Sequence, residues 1–237
     1  MRQIDEIYLE APESGYWTMT ELLQRQGYQV NGKRVLRLMR QMGIQALCPR
    51  PKTSLRHPEH KIWPYLLRNR RIGQPDEAWC VDITYIPMPT GFMYLVAVMD
   101  WFSRFVLAWE LSSSMDTDFC IRALNTAFAF GQPSIFNSDQ GSQFTSHAFT
   151  DHLLARRIRI SMDGRGRYLD NIFIERLWRT VKYDEIYLHN HATVPALRAG
   201  LTRYFQRYCY RRPHQSLAMC TPAEIYFGCK RLDRPIY

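Results

Sequence analysis

Apolar residues recur along this chain at two different spacings, and the change between them divides it. Near the start the spacing is helical. Leu22 and Leu23 lie on an apolar stripe within residues 19–26, and Gly27 is placed to end that helix. Asn31 can cap a second helix running through Lys33, Val35, Leu38 and Met39 and ending at Gly43. Val35, Leu38, Met39 and Met42 form one face, while Lys33, Arg34, Arg37 and Arg40 fall mostly on the other. Two short helices joined by a Gly-containing turn, the second of them basic, predict a helix-turn-helix-like region over residues 1–50. A small helical bundle with a solvated cationic face has the same pattern.

From residue 76 the period shortens. Residues 78–86, 92–99 and 105–111 are short, β-branched and aromatic, and turn residues at 87–91 and 100–104 separate them. They predict a three-stranded antiparallel meander. A helix over 116–130, a strand at 133–137, a helix over 146–157 and a strand at 158–162 follow. Two further helices cover 169–183 and 194–210. This order predicts an α/β core with a mixed sheet and helices on its faces, compatible with the ribonuclease H-like fold. The core spans 76–228, with a tail at 229–237. The intervening segment, 51–75, carries Lys52, Arg56, Lys61, Arg68, Arg70 and Arg71 against the single acid Glu59, and four prolines punctuate it. It reads as a basic linker, either lying along phosphates or kept soluble by its charge.

Composition narrows the partners. With 46% hydrophobic and 22% charged residues, the 237-residue chain can bury an ordinary core. Its net charge of +9 favours a polyanionic partner, of which nucleic acid is the commonest. The six cysteines include no C-x-x-C pair, so they predict reduced, mostly core thiols rather than zinc knuckles or disulfides. The first ten residues are polar and acidic, unlike a secretory leader, and no apolar run approaches about 18 residues. The expected setting is cytoplasmic, at the nucleoid when on DNA, with no membrane partner.

Three carboxylates carry the chemistry. Asp82 interrupts the strand Trp79-Cys80-Val81-Asp82-Ile83, where an uncompensated buried charge costs several kcal/mol, on the order of 1–5. Asp139 follows the strand at 133–137, where ligands gather at strand ends, although an Asp-Gln-Gly turn accounts for it as well. Glu175 lies on the 169–183 helix near Arg179 and Lys182, and an i,i+4 ion pair with Arg179 is its structural alternative. Together they could converge on one site suited to a hard divalent cation such as Mg²⁺. Two such ions would activate a water or 3′-hydroxyl and stabilise the leaving oxygen at phosphorus. Asp100 is assigned to a turn with Ser103 or Arg104, Asp184 and Glu185 to solvent, and His214 to packing or phosphate contact. No His/Cys cluster with zinc spacing occurs.

Asp139 and Glu175 are separated by 35 residues, and Lys182 lies seven beyond Glu175. With the blocks Trp79-x-x-Asp82-Ile83-Thr84-Tyr85, Asn137 to Phe144, Asp170-Asn171, Arg211 to Leu217 and Thr221 to Glu224, this resembles the D,D(35)E bacterial insertion-sequence transposases of the retroviral-integrase-like superfamily. The tail is similar to the two-frame subgroup, whose second frame encodes the catalytic protein. The resemblance implies an integrase-like catalytic core with a mixed five-stranded sheet, metal ligation by Asp82, Asp139 and Glu175, and Mg²⁺ dependence with Mn²⁺ substituting. It also implies action on double-stranded DNA at terminal inverted repeats and a target, work as a homo-oligomer, and an upstream-frame partner or fusion. Lys182 and Arg179 would contact DNA near the reacting phosphate, and Lys33, Arg34 and Arg37 would contact it from the helical region. Asp163-Gly164 and Leu169 depart from the family's usual choices, which puts loop contacts to DNA in doubt. The expected activity is DNA cleavage and strand transfer. The alternatives are a catalytically silent DNA-binding regulator of transposition and a structure-specific nuclease on the same fold.

Overall fold

A computed structural model describes residues 1–44, 46, 61–89, 91–164 and 171–228. The chain forms two compact units, Met1–Leu55 and Arg56–Tyr237.

In the first unit, helices α1 (Arg2–Glu10), α2 (Tyr16–Arg25) and α3 (Gly32–Gln41) surround Ile4, Ile7, Met19, Leu23, Val35 and Met39. Asn31 caps α3 as its position suggested, its side-chain oxygen accepting from the Arg34 N–H at 2.9 Å. Gly27 and Gly43 take φ of 89° and 68°, which lets the chain leave each helix in a conformation glycine adopts freely. Lys33, Arg34, Arg37 and Arg40 are all exposed. Helix α1 is not separately expected from the pattern, because only Ile4 and Ile7 of its short, polar sequence are buried.

In the second unit, β1 (Ala78–Met88), β2 (Gly91–Asp100) and β3 (Val106–Ser112) form the predicted antiparallel meander. Strands β4 (Ile135–Ser138) and β5 (Arg159–Met162) add parallel to the other edge of β1, giving the order β3-β2-β1-β4-β5. Strand β1 is therefore central. Residues 78–81 are buried without alternation, and polar-apolar alternation returns only beyond Ile83. Helix α4 (Thr117–Ala127) is capped by Asp116 and α6 (His147–Leu154) by Ser146. A short α5 (Ser142–Thr145) follows β4, unanticipated in the sequence. Helix α7 (Ile172–Val181) does not stop at Tyr183. It continues through a π turn, Lys182–Ile186, into α8 (Tyr187–His189). Helix α9 (Val194–Tyr210) begins at a Thr193 cap, and α10 (Pro222–Tyr226) at a Thr221–Glu224 capping box.

The later part of the basic connector lies on this unit. The Leu66 N–H donates to Ser161 Oγ at 3.0 Å, and Leu67 packs with Ala78 and Ile135. Residues 51–60 fall outside the described residues, as do Cys48 and Cys229, while Cys80, Cys120, Cys209 and Cys220 are buried and free. Among the described residues no helix is long and apolar enough to cross a membrane.

Candidate active site

The sheet register brings the first two carboxylates level. Cys80 on β1 pairs with Asn137 on the parallel strand β4, and Asp82 and Asp139 each follow two residues later, close enough for the charge of Asp139 to act on Asp82. Asp82 is half-buried and Asp139, just past the strand end, is exposed. The turn expected at Asp139 is present. Its Oδ1 accepts from the Gly141 N–H at 2.8 Å, and a Cβ at position 141 would sit 2.9 Å from that oxygen. The turn fixes the orientation of the carboxylate.

The third acid arrives through its neighbour. Trp178, one helical turn past Glu175 and only 6% exposed, donates its indole N–H to Asp82 Oδ2 at 2.9 Å. Asp82 Oδ1 accepts from the Ile83 N–H at 2.8 Å. This bond pins α7 to β1 and brings Glu175 close enough for its charge to act on Asp82. Burial first, then the charge of Asp139, pushes the Asp82 carboxyl up to about 7, with Glu175 adding to the rise and the Ile83 and Trp178 donors opposing it. Glu175 is exposed, and among the described residues no ion pair joins it to Arg179, which instead lies 6.0 Å from the Tyr183 ring. Lys182 is half-buried at the start of the π turn. Asp139 and Glu175 thus both act by charge on Asp82.

Several residues outside the sequence reading shape this site. Asp163, treated above as a departure affecting a loop, is a packed residue. Its carboxylate accepts from Asn137 Nδ2 at 2.8 Å, its N–H donates to Ser138 O, and its carbonyl accepts from Gln140 Nε2 at 2.8 Å. It thus fastens the end of β5 to the turn that carries Asp139. Leu169 and residues 165–168 fall outside the described residues. Trp178 and Gly141 had legible signals, since a Trp three residues past the candidate Glu and a Gly two past the candidate Asp both sit at contact spacing.

Two assignments need correction. Glu185 is not solvated; it is 6% exposed and accepts from His191 Nε2 at 3.1 Å, with His189 Nδ1 3.6 Å away. The π turn rotates it inward, and Gly200 leaves room, because a Cβ there would lie 2.5 Å from the Glu185 carboxylate. Asp184 pairs with Arg212. Histidines do cluster in space, since ligand atoms of Glu185, His189 and His191 lie within 4.8 Å of one another despite lacking zinc spacing. Asp100 is fully buried in its turn, its Oδ1 accepting from both the N–H and the hydroxyl of Ser103. His214 packs edge-on against Tyr208, at 4.8 Å between ring centres.

The fold and this site define a polynucleotidyl transferase with an integrase core. Residues 1–52 match the HTH-like domain family, and residues 73–167 and 156–222 match integrase core domain families. Similar proteins include InsK of insertion sequence element IS150 from Escherichia coli K12, 30% identical over 94% of this chain and 81% of that protein. The transposase for IS904 of Lactococcus lactis is 30% identical over 87% of this chain and 85% of its own length. The chain belongs to the transposases of bacterial insertion sequences. Among solved structures, the HTLV-2 integrase catalytic core domain in complex with magnesium overlays with a TM-score of 0.53 at 20% identity, covering 65% of this chain and 97% of that one. The simian T-cell lymphotropic virus intasome chain gives 0.58 at 17% identity over 99% and 77%. Both share the ribonuclease H-like fold of this core.

Proposed function

We propose that Asp82, Asp139 and Glu175 hold the divalent metal of this transposase, Mg²⁺ with Mn²⁺ substituting, and that the site cleaves the ends of an insertion sequence and transfers the strand to target DNA. The observation that supports this reading is the Trp178–Asp82 hydrogen bond, which fastens α7 to β1 beside a carboxyl whose proton affinity the charges of Asp139 and Glu175 raise. When bound, the metal supplies charge that activates the attacking oxygen and stabilises the leaving one. The chain's residues hold the geometry for it. The Asx turn at Gly141 aims Asp139, Trp178 and the Ile83 N–H orient Asp82, and α7 presents Glu175 with Arg179 and Lys182 along the same stripe for a phosphodiester.

Lys33, Arg34 and Arg37, exposed on α3, bind terminal-repeat DNA in this reading. The protein works as a homo-oligomer on DNA, alone or joined to an upstream-frame partner. The test is strand transfer from a pre-nicked terminal-repeat oligonucleotide into plasmid DNA, wild type against Asp139→Asn, with Mg²⁺ or Mn²⁺. Joined product from the wild type alone supports the triad. Cut but unjoined DNA is the nuclease outcome. Binding without product, persisting after fusion to the upstream frame, is the silent-regulator outcome, and either one sinks the strand-transfer reading.

A further inference from the structure

On a different face of α7 from Glu175, an open cavity of about 380 Å³ collects positive charge and unpartnered polar atoms. Arg104, Arg176, Arg212 and His214 line it, with Thr180 and Ser216 at its wall, and no carboxylate is in that lining. The Arg104 Nη1 and His214 Nε2 atoms are buried without a hydrogen-bond partner. Buried polar atoms are nearly always paired, and both residues that carry these two unpaired atoms line this cavity. Arg212 is partly neutralised by Asp184, but no ion pair among the described residues involves Arg104 or Arg176.

The placement of Arg104 is built into the fold. It has φ of 64°, a conformation non-glycine residues seldom adopt. The turn holds it there. Fully buried Asp100 accepts from the Ser103 N–H and hydroxyl through one oxygen and from the Asp76 N–H through the other, and the Arg104 N–H donates to Asp100 O. The guanidinium then lies 3.1 Å from the centre of the Phe173 ring, in the first turn of α7, with Arg176 following on the same helix. Burial first, then Arg212 and Arg104, depresses the His214 imidazole to about 4, as an electropositive cavity should.

We propose that this cavity binds a backbone phosphate of DNA, on a second contact surface separate from the three carboxylates. An anion there accepts from the Arg104 and Arg176 forks, which suit phosphate oxygens, and from the His214 Nε2–H tautomer. The proposal rests on the reading of this chain as a DNA-strand transferase but not on the identity of its metal ligands. Because α7 also carries Glu175, a phosphate held here would fix that helix against the DNA it acts on.

The test uses the full chain with isotope-labelled histidine, following the His214 ring resonances. Inorganic phosphate should shift them saturably. Arg176→Gln, an exposed change that leaves the core intact, should weaken that effect several-fold. Arg104→Lys, which keeps the charge and removes the fork, should weaken it as well. Duplex oligonucleotide should produce the shift at far lower concentration. In Arg176→Gln the slope of log affinity against log salt should fall by about 1. A phosphate response with no duplex response and an unchanged salt slope overturns the DNA assignment and leaves a small-anion site. No response to either ligand in folded protein overturns the site altogether. These readouts need no joined product, so they fail or succeed apart from the strand-transfer assay.

Discussion

Trp178 has one polar atom, and it is committed to Asp82. Replacing it with Phe keeps most of the buried ring and removes that donor, a bond to a charged group worth about 1.5–3 kcal/mol. Trp178→Phe should therefore lower strand transfer by roughly tenfold or more. The protein should stay folded, and the requirement for metal at neutral pH should move to higher concentration. Circular dichroism with a metal titration of the reaction checks both. Asp82 itself makes stability depend on pH in a known direction. Its folded-state value of about 7 lies above the ordinary 3.8. Its contribution to stability is thus complete below about pH 4 and is lost as the pH rises through 7. In chelator, the melting temperature should fall from pH 5 to pH 8, and Asp82→Asn should flatten that part of the curve. Divalent metal should stabilise the wild type much more at pH 8 than at pH 5, and an equal effect at both would count against ligation by Asp82.

At the scale of elements, caps and close approaches fix where the helices begin and how the acids are aimed. Asn31 supplies the acceptor for the first turn of α3, and Asn31→Ala should cost about 0.5–2 kcal/mol in the first unit. Hydrogen exchange of α3 amides would report it, and unchanged protection would deny the cap its role. Gly141 acts through space, because its added Cβ would meet Asp139 Oδ1 at 2.9 Å. Gly141→Ala should leave the unfolding free energy within about 1 kcal/mol of wild type, yet depress strand transfer by displacing Asp139. The start of α3 was legible because its cap is local chemistry. The π turn at Lys182–Ile186 was not, since the burial of Glu185 beside His191 under Gly200 depends on α9, residues away in sequence.

For the whole molecule, end recognition and chemistry are assigned to different units, so they should separate. Replacing Lys33, Arg34 and Arg37 together with Gln should reduce the salt slope of DNA binding by up to about 3, near 0.9 per phosphate contact. The core should melt unchanged. Glu175→Gln should do the reverse, keeping binding and abolishing joined product. Anisotropy across a salt series, paired with the joining assay on both variants, checks the division. Loss of binding and product together in Glu175→Gln would show that the helix bearing it serves both tasks.

The sequence by itself determined what short-range physics controls. The short β-branched and aromatic runs marked β1 to β3, Asn31 stood where a cap is needed, and the spacing of Asp139 and Glu175 singled them out with Asp82 as candidates. Tertiary structure decided what depends on residues far apart in the chain. The parallel pairing of β1 and β4 brings Asp139 near enough for its charge to act on Asp82. The 96-residue reach from Trp178 to Asp82 delivers Glu175. Asp163 became a brace for the Asp139 turn, and Glu185 a buried partner of His191, for the same reason. A side chain's local pattern states its polarity, but its partner is chosen by packing between elements, and that is where burial, proton affinity and orientation are set.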